Sequence, residues 1–175
     1  MVIASTEDII IRHLVKDDIH EMARLANNKK IAINLRDAFP YPYTLEDAKR
    51  FFDMVEKMNP KTIFAIEYKG RYAGNIGLTR ESDVYRNSAE IGYFLGEPFW
   101  NKGIMTKAVG IMTEYAFEKL GVLRVHTGVF SYNTASQKVL EKCGYSREGV
   151  FKNSITKDGK IYDEIRYARC KENYQ

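Results

Sequence analysis

Two cysteines, Cys143 and Cys170, are all that 175 residues contain, too few to frame a disulfide-stapled fold or a thiolate metal centre. The three histidines are scattered without metal-ligand spacing, so no metal is expected. No apolar run approaches the roughly 20 residues that span a bilayer, and the N-terminus lacks the layout of a secretory signal. The expected compartment is the cytoplasm, with no membrane partner. An excess of one charge is missing too: 27 Lys and Arg against 23 Asp and Glu leave +4, and the signs are interspersed. That balance suits a small anionic ligand and falls short of a nucleic-acid footprint. There are only four prolines, with no low-complexity linker and no internal repeat. With 45% hydrophobic residues the chain can bury one core, so a single domain over residues 1–175 is expected.

What the sequence does have centres on the stretch from Pro98 to Thr106. Before it, Ser88 to Leu95 is rich in aromatic and β-branched residues, as a strand should be. After it, Ile104, Ala108, Ile111, Met112 and Tyr115 fall on one helical face. A helix opening in such a loop presents unpaired N–H groups and the positive end of its dipole, which favours a phosphate. Gly103 allows close approach, and Lys102 and Lys107 add charge. The pattern is neither a Walker loop, since Asn101 and Gly103 replace the second glycine and the Ser/Thr, nor the G-x-G-x-x-G dinucleotide turn. A plain structural turn is the competing reading.

Along the chain, Ile9 to Val15 reads as a strand, and Asp18 with Glu21 as a capping box for a helix carrying Ile19, Met22, Leu25 and Ala26. Leu35 to Tyr43 holds two prolines and three aromatics and reads as a loop. Phe39, Tyr41 and Tyr43 either line a binding site or close a core edge, with equal weight. Thr44 and Asp47 make a second capping box. A hairpin turns at Lys69-Gly70, and Leu123 to Phe130 is a strand lying parallel to residues 88–95 across the central helix. Asn133 caps a short helix that Gly144 ends, and a closing hairpin turns at Lys157 to Lys160. The expected fold is α/β (α+β): a mixed, mostly antiparallel sheet of six to seven strands with helices on both faces and one parallel pair. Ligands of such sheets bind at the carboxyl ends of the parallel strands.

Three separated motifs, Ala89-Glu90-Ile91-Gly92-Tyr93, Trp100 to Ala108, and Asn133-Thr134-Ala135-Ser136 with Val139-Leu140-Glu141-Lys142 and Gly144-Tyr145, resemble the GCN5-related N-acetyltransferases. The resemblance runs from Ile9 to Cys170 and is nearest to the RimJ/RimL-like branch. It implies that acetyl-CoA is the co-substrate, with its pyrophosphate held on backbone N–H groups of Asn101, Lys102, Gly103, Ile104, Met105 and Thr106. It also implies a splayed parallel pair with the pantetheine arm pairing near Phe94 and Leu95, and Asn133 and Ser136 close to the cofactor. Family loops usually carry glycine or alanine where Met105 stands, a change that backbone contacts tolerate.

The implied reaction is acetyl transfer to a primary amine, a protein N-terminal α-amine or a small amine, by direct attack in a ternary complex. Glu90, which shares a strand face with Gly92 and Phe94, is the candidate general base and lines the acceptor site with Phe39, Tyr41 and Tyr43; a salt-bridged strand-start glutamate is the alternative. The N–H of Leu95 is the candidate oxyanion donor. The tyrosine acid of many family members is replaced by Leu140, leaving Ser136 as the candidate acid and Tyr145 as a weaker one. Ser136 can equally be a helix-start hydroxyl bonded to its own backbone. His126 and Trp100 read as packing residues. A non-catalytic acyl-CoA binder or sensor is the alternative function, and a homodimer is left open.

Overall fold

The computed structural model describes residues 1–172. In chain order its elements are β1 (Val2–Ser5), β2 (Ile9–Arg12), α1 (Asp18–Ala26), α2 (Lys29–Ala32), α3 (Leu45–Glu56), β3 (Ile63–Tyr68), β4 (Arg71–Arg80), β5 (Ser88–Leu95), α4 (Ile104–Glu118), β6 (Arg124–Phe130), α5 (Thr134–Lys142), β7 (Ser146–Lys157) and β8 (Lys160–Cys170). The eight strands form one sheet in the order β1-β2-β3-β4-β5-β6-β8-β7. This is the mixed architecture expected, with one strand more: Val2–Ser5 is too short for periodicity to mark, yet it pairs along β2. The parallel pair is β5 with β6, because α4 carries the chain back to the same end before the next strand starts. No helix among the described residues is long and apolar enough to cross a membrane.

The chain divides into two compact units, Met1–Gly77 with Tyr93–Ile104, and Leu78–Gly92 with the chain from Met105 onward. In the first, register places Ile9, Ile11, Phe64, Ile66 and Ile76 on one sheet face, and each is buried. The other face is polar. Arg12 donates through both Nη atoms to the two oxygens of Asp18, at 2.7 and 2.8 Å, and through Nε to Glu67 at 2.6 Å. Asp18, foremost, and Glu67 push the guanidinium above its already high range. This corrects the expected first capping box. Asp17 occupies the N-cap position without a side-chain cap bond, because Asp18 spends its carboxylate on Arg12 and on the N–H of Val15. A charge-assisted, two-pronged bond outcompetes a helix amide.

The second box forms as expected: Thr44 Oγ1 accepts from the Asp47 N–H at 3.2 Å and Asp47 accepts from the Thr44 N–H at 2.8 Å. Just before it, Tyr43 is buried, and burial pushes its phenol from 10.0 up to about 12. The unfolded chain ionises first, so this group's stabilisation is intact below pH 10 and is lost as pH rises towards 12. Urea unfolding from pH 9 to pH 11 should show Tyr43→Phe escaping about 1 kcal/mol of the decline seen in the wild type; parallel curves would contradict this assignment.

In the second unit, α4 buries Ala108, Val109, Met112, Ala116 and Phe117. Thr113 donates to the Val109 carbonyl and shares a 2.7 Å bond with the Tyr145 hydroxyl. Gly121 and Gly144 sit at φ +67° and +77°, the left-handed conformation that ends helices and that glycine adopts without strain.

Candidate functional site

The central loop is built from its start. Asn28 Nδ2 donates to the Glu97 carboxylate at 2.6 Å, and Lys30 pairs with the same group, pinning the short turn Glu97–Phe99. Trp100 Nε1 donates to the Leu95 carbonyl at 2.7 Å, which ties the loop to the end of β5. Asn101 and Gly103 then adopt φ +60° and +72°, and α4 begins at Ile104. Ile104 and Met105 are buried, so the first helical turn is anchored by its side chains. Among the described residues, no loop or cap bond takes up the N–H groups of Asn101 to Thr106. A run of free donors with two left-handed residues before a helix start is a backbone concavity of the kind anions occupy. Lys102 does not point its charge there: Nζ donates to the Pro98 carbonyl at 2.8 Å and lies 5.8 Å from the Phe99 ring centroid.

The loop of residues 35–43 divides its three aromatics. Phe39 tilts against Tyr43 at 4.9 Å and meets the edge of Phe94 at 5.6 Å. Tyr43 is core, and Tyr41 is 52% exposed. Beside Phe94 lies Gly74. The Ala73 carbonyl accepts from the Gly96 N–H at 2.8 Å, and a side chain at Gly74 would stand 2.2 Å from the Phe94 carbonyl oxygen. Gly74 thus admits a main-chain excursion in β5 that any other residue would push away. Gly74→Ala should cost about 1–3 kcal/mol in urea unfolding, whereas Gly128→Ala, where a methyl would meet only the movable end of Glu164, should cost far less; equal costs would contradict the close approach.

In the second unit, the β5–β6 pairing runs over Ser88, Ala89 and Glu90 against Arg124, Val125 and His126. The recorded pairing ends at Glu90 and His126, although β5 runs on to Leu95 and β6 to Phe130. Glu90 is half-buried. His126 Nε2 lies 3.4 Å from the Glu81 carboxylate. Two residues on, the Glu164 carboxylate lies over Gly128, within 2.5–2.7 Å of where a β-carbon would be, and pairs with Arg166. His126 and Glu164 thus join Glu90 on one face, a grouping that the sequence showed only as separate residues.

Asn133 caps α5, its Oδ1 accepting from the Ser136 N–H at 3.2 Å. Ser136 is half-buried. Tyr145 is spent elsewhere: its hydroxyl is buried against Thr113, and burial raises its pKa far above the ordinary range. That removes the weaker acid candidate. Cys143 donates its thiol to the Thr106 carbonyl at 3.2 Å, and burial pushes that thiol's pKa up, a packing role. Among the described residues no group of His, Cys, Asp and Glu could hold a metal ion.

Sequence reasoning missed Gly74 and Asn75. The available signal was a glycine and an amide interrupting the apolar strand Tyr72-Ala73-Gly74-Asn75-Ile76, where each costs stability without a reason to be there.

The family profile described as an acetyltransferase (GNAT) domain matches residues 8–146. A probable N-acetyltransferase of Bacillus subtilis (strain 168), YjcK, is 37% identical over 89 residues, 51% of this chain and 49% of that protein, so the match spans about half of that relative's length. Spermidine N(1)-acetyltransferase of Escherichia coli (strain K12) is 23% identical over 171 residues, 97% of this chain and 90% of that protein. RimL, a ribosomal L7/L12 alpha-N-protein acetyltransferase solved in complex with coenzyme A, superposes with a TM-score of 0.87 at 19% identity, covering 97% of this chain and 98% of that one. At that identity the likeness speaks for the fold.

Proposed function

The chain belongs to the GNAT acetyltransferase family, and we propose that it moves the acetyl group of acetyl-CoA to a primary amine, a protein N-terminal α-amine or a small amine, by direct attack in a ternary complex. The observation that carries this is the row of open N–H groups from Asn101 to Thr106 at the start of α4. Such a row suits a diphosphate, with Gly103 giving the backbone its turn. Phe94 and Leu95 offer main chain to the pantetheine arm, and the Leu95 N–H is the donor proposed for the oxyanion. Asn133 keeps Nδ2 available for the cofactor, since its Oδ1 holds the Ser136 N–H.

Transfer requires a neutral amine nitrogen to attack the thioester carbon, the C–S bond to break and the leaving sulfur to gain a proton. Glu90 is the proposed acceptor of the ammonium proton, and Ser136 the proposed donor to sulfur. Phe39 and Tyr41, with Tyr43 packed beneath Phe39, line the acceptor side. An α-amine, with a pKa near 8, reaches the neutral form at physiological pH far more readily than a lysine near 10.4. Support for both acceptor classes comes from relatives, one named for a ribosomal protein N-terminus and one for spermidine. The missing tyrosine is the only feature behind a non-catalytic acyl-CoA binder.

Free-thiol release from acetyl-CoA with a panel of α-amino peptides and polyamines tests the transferase reading. Amine-dependent thiol release and a mass gain of one acetyl group on the acceptor are expected. Coenzyme A should raise Tm while ATP and NAD do not. Binding without amine-dependent release would leave only the binder. Ser136→Ala should lower kcat about 10- to 100-fold with the Kd of coenzyme A unchanged; unchanged turnover would remove Ser136 from the chemistry.

A further inference from the structure

We propose that Asn75 determines acceptor specificity, its side-chain amide pairing with an amide group carried next to the acceptor's amine. The inference rests on the transferase reading above. Asn75 is 5% exposed, and neither Nδ2 nor Oδ1 has a hydrogen-bond partner among the described residues. A buried carboxamide with both ends unpaired costs the full desolvation of two strong hydrogen-bonding groups, so native chains rarely keep one without a use. The charged groups on the same sheet face are engaged with one another: Arg12 bonds both Asp18 and Glu67.

Asn75 is not alone. Tyr72 is also 5% exposed, and its hydroxyl is equally without a partner. Three residues apart on a strand, the two would ordinarily face opposite ways. The register shifts between Ile66 and Glu67, whose partners are Gly74 and Tyr72. The extra residue, Ala73, is a bulge that turns Tyr72 and Asn75 to the same side. That side also carries Asp18 and Tyr43, which add to burial, the main cause, in raising the Tyr72 pKa. The Ala73 bond to Gly96 lays the Phe94 end of β5 alongside, and Phe39 meets Phe94 there. All of these residues belong to the first unit. The orphaned amide therefore sits beside the strand end and the aromatic loop already proposed to receive the acceptor.

The chemistry of the orphan selects its ligand. A carboxamide presents a donor and an acceptor side by side, and its complement is another amide. A polyamine offers donors only and would leave Nδ2 unpaired; a carboxylate would leave Oδ1 unpaired. An α-amino primary amide, which carries its C=O and one N–H on the same side, satisfies both.

The test compares two acceptors of one shape, alaninamide and 3-methylbutan-2-amine, on the wild type and on Asn75→Leu. The ratio of kcat/KM for alaninamide over the plain amine should fall about tenfold or more in the variant, the loss appearing in KM. Because leucine keeps the branching and heavy-atom count of the side chain while removing two unpaired buried polar atoms, Tm should hold or rise. A ratio that moves less than twofold overturns the inference whatever Tm does, and a lowered Tm with an unmoved ratio assigns Asn75 to internal structure. A wild type that acetylates no amine sinks the transferase reading first, and this inference with it.

Discussion

Glu90→Gln lowers kcat by about 10²- to 10³-fold while the Kd of coenzyme A stays within twofold, the size of effect that loss of a positioned proton acceptor has. The substitution keeps the volume and shape of the side chain while exchanging one acceptor oxygen for an NH2 donor, so it removes the proton acceptor without opening a cavity. Glu90 occupies the last recorded rung of the parallel pair, directly across from His126. His126 is an imperfect substitute because its Nε2 already faces the Glu81 carboxylate at 3.4 Å. Stopped-flow or endpoint thiol assays at saturating acetyl-CoA and acceptor measure the effect. A kcat within twofold of the wild type would return Glu90 to the bland role of a half-buried strand residue and move attention to His126 or Glu164.

Gly103→Val weakens coenzyme A binding by about 10- to 100-fold, measured as Kd by calorimetry, while Gly103→Asn loses only a few-fold. Gly103 stands at φ +72° with open space where a side chain would go, so the difficulty is conformational rather than steric. Left-handed backbone costs an ordinary residue about 1–2 kcal/mol, more when it is β-branched, and asparagine tolerates it. The loop is exposed from Asn101 to Gly103, so a strained residue there relaxes the turn instead of unfolding the chain. Binding must then pay to rebuild it. Equal Kd values for Val, Asn and wild type would mean that the turn is not part of the cofactor site.

Local signals are legible in the sequence itself. Thr44 with Asp47, and Asn133 before Ser136, sit three residues apart and satisfy each other within one turn, so spacing alone reveals them. The strand–helix–strand run from Ser88 to Phe130 likewise carried its own parallel pairing. What failed to show was decided at long range. Asp18 looked like a cap because its competitor, Arg12, belongs to a strand that also pairs with Glu67, 55 residues away. The split among Phe39, Tyr41 and Tyr43 had no period to follow, since Pro40 and Pro42 interrupt it. Lys102 looked free to meet an anion, yet its stem folds back to Pro98. Asn75 was the hardest to see: its face depends on a one-residue bulge, and a bulge leaves no fixed mark in composition or spacing.

Backbone amide shifts of Asn101 to Thr106 during titration of 15N-labelled protein, with coenzyme A and then with pantetheine, which lacks the diphosphate, test the diphosphate cradle directly. Large, saturable shifts confined to these six residues and their immediate neighbours with coenzyme A, and absent with pantetheine, are expected. Saturable coenzyme A binding that leaves those amides unmoved would contradict it.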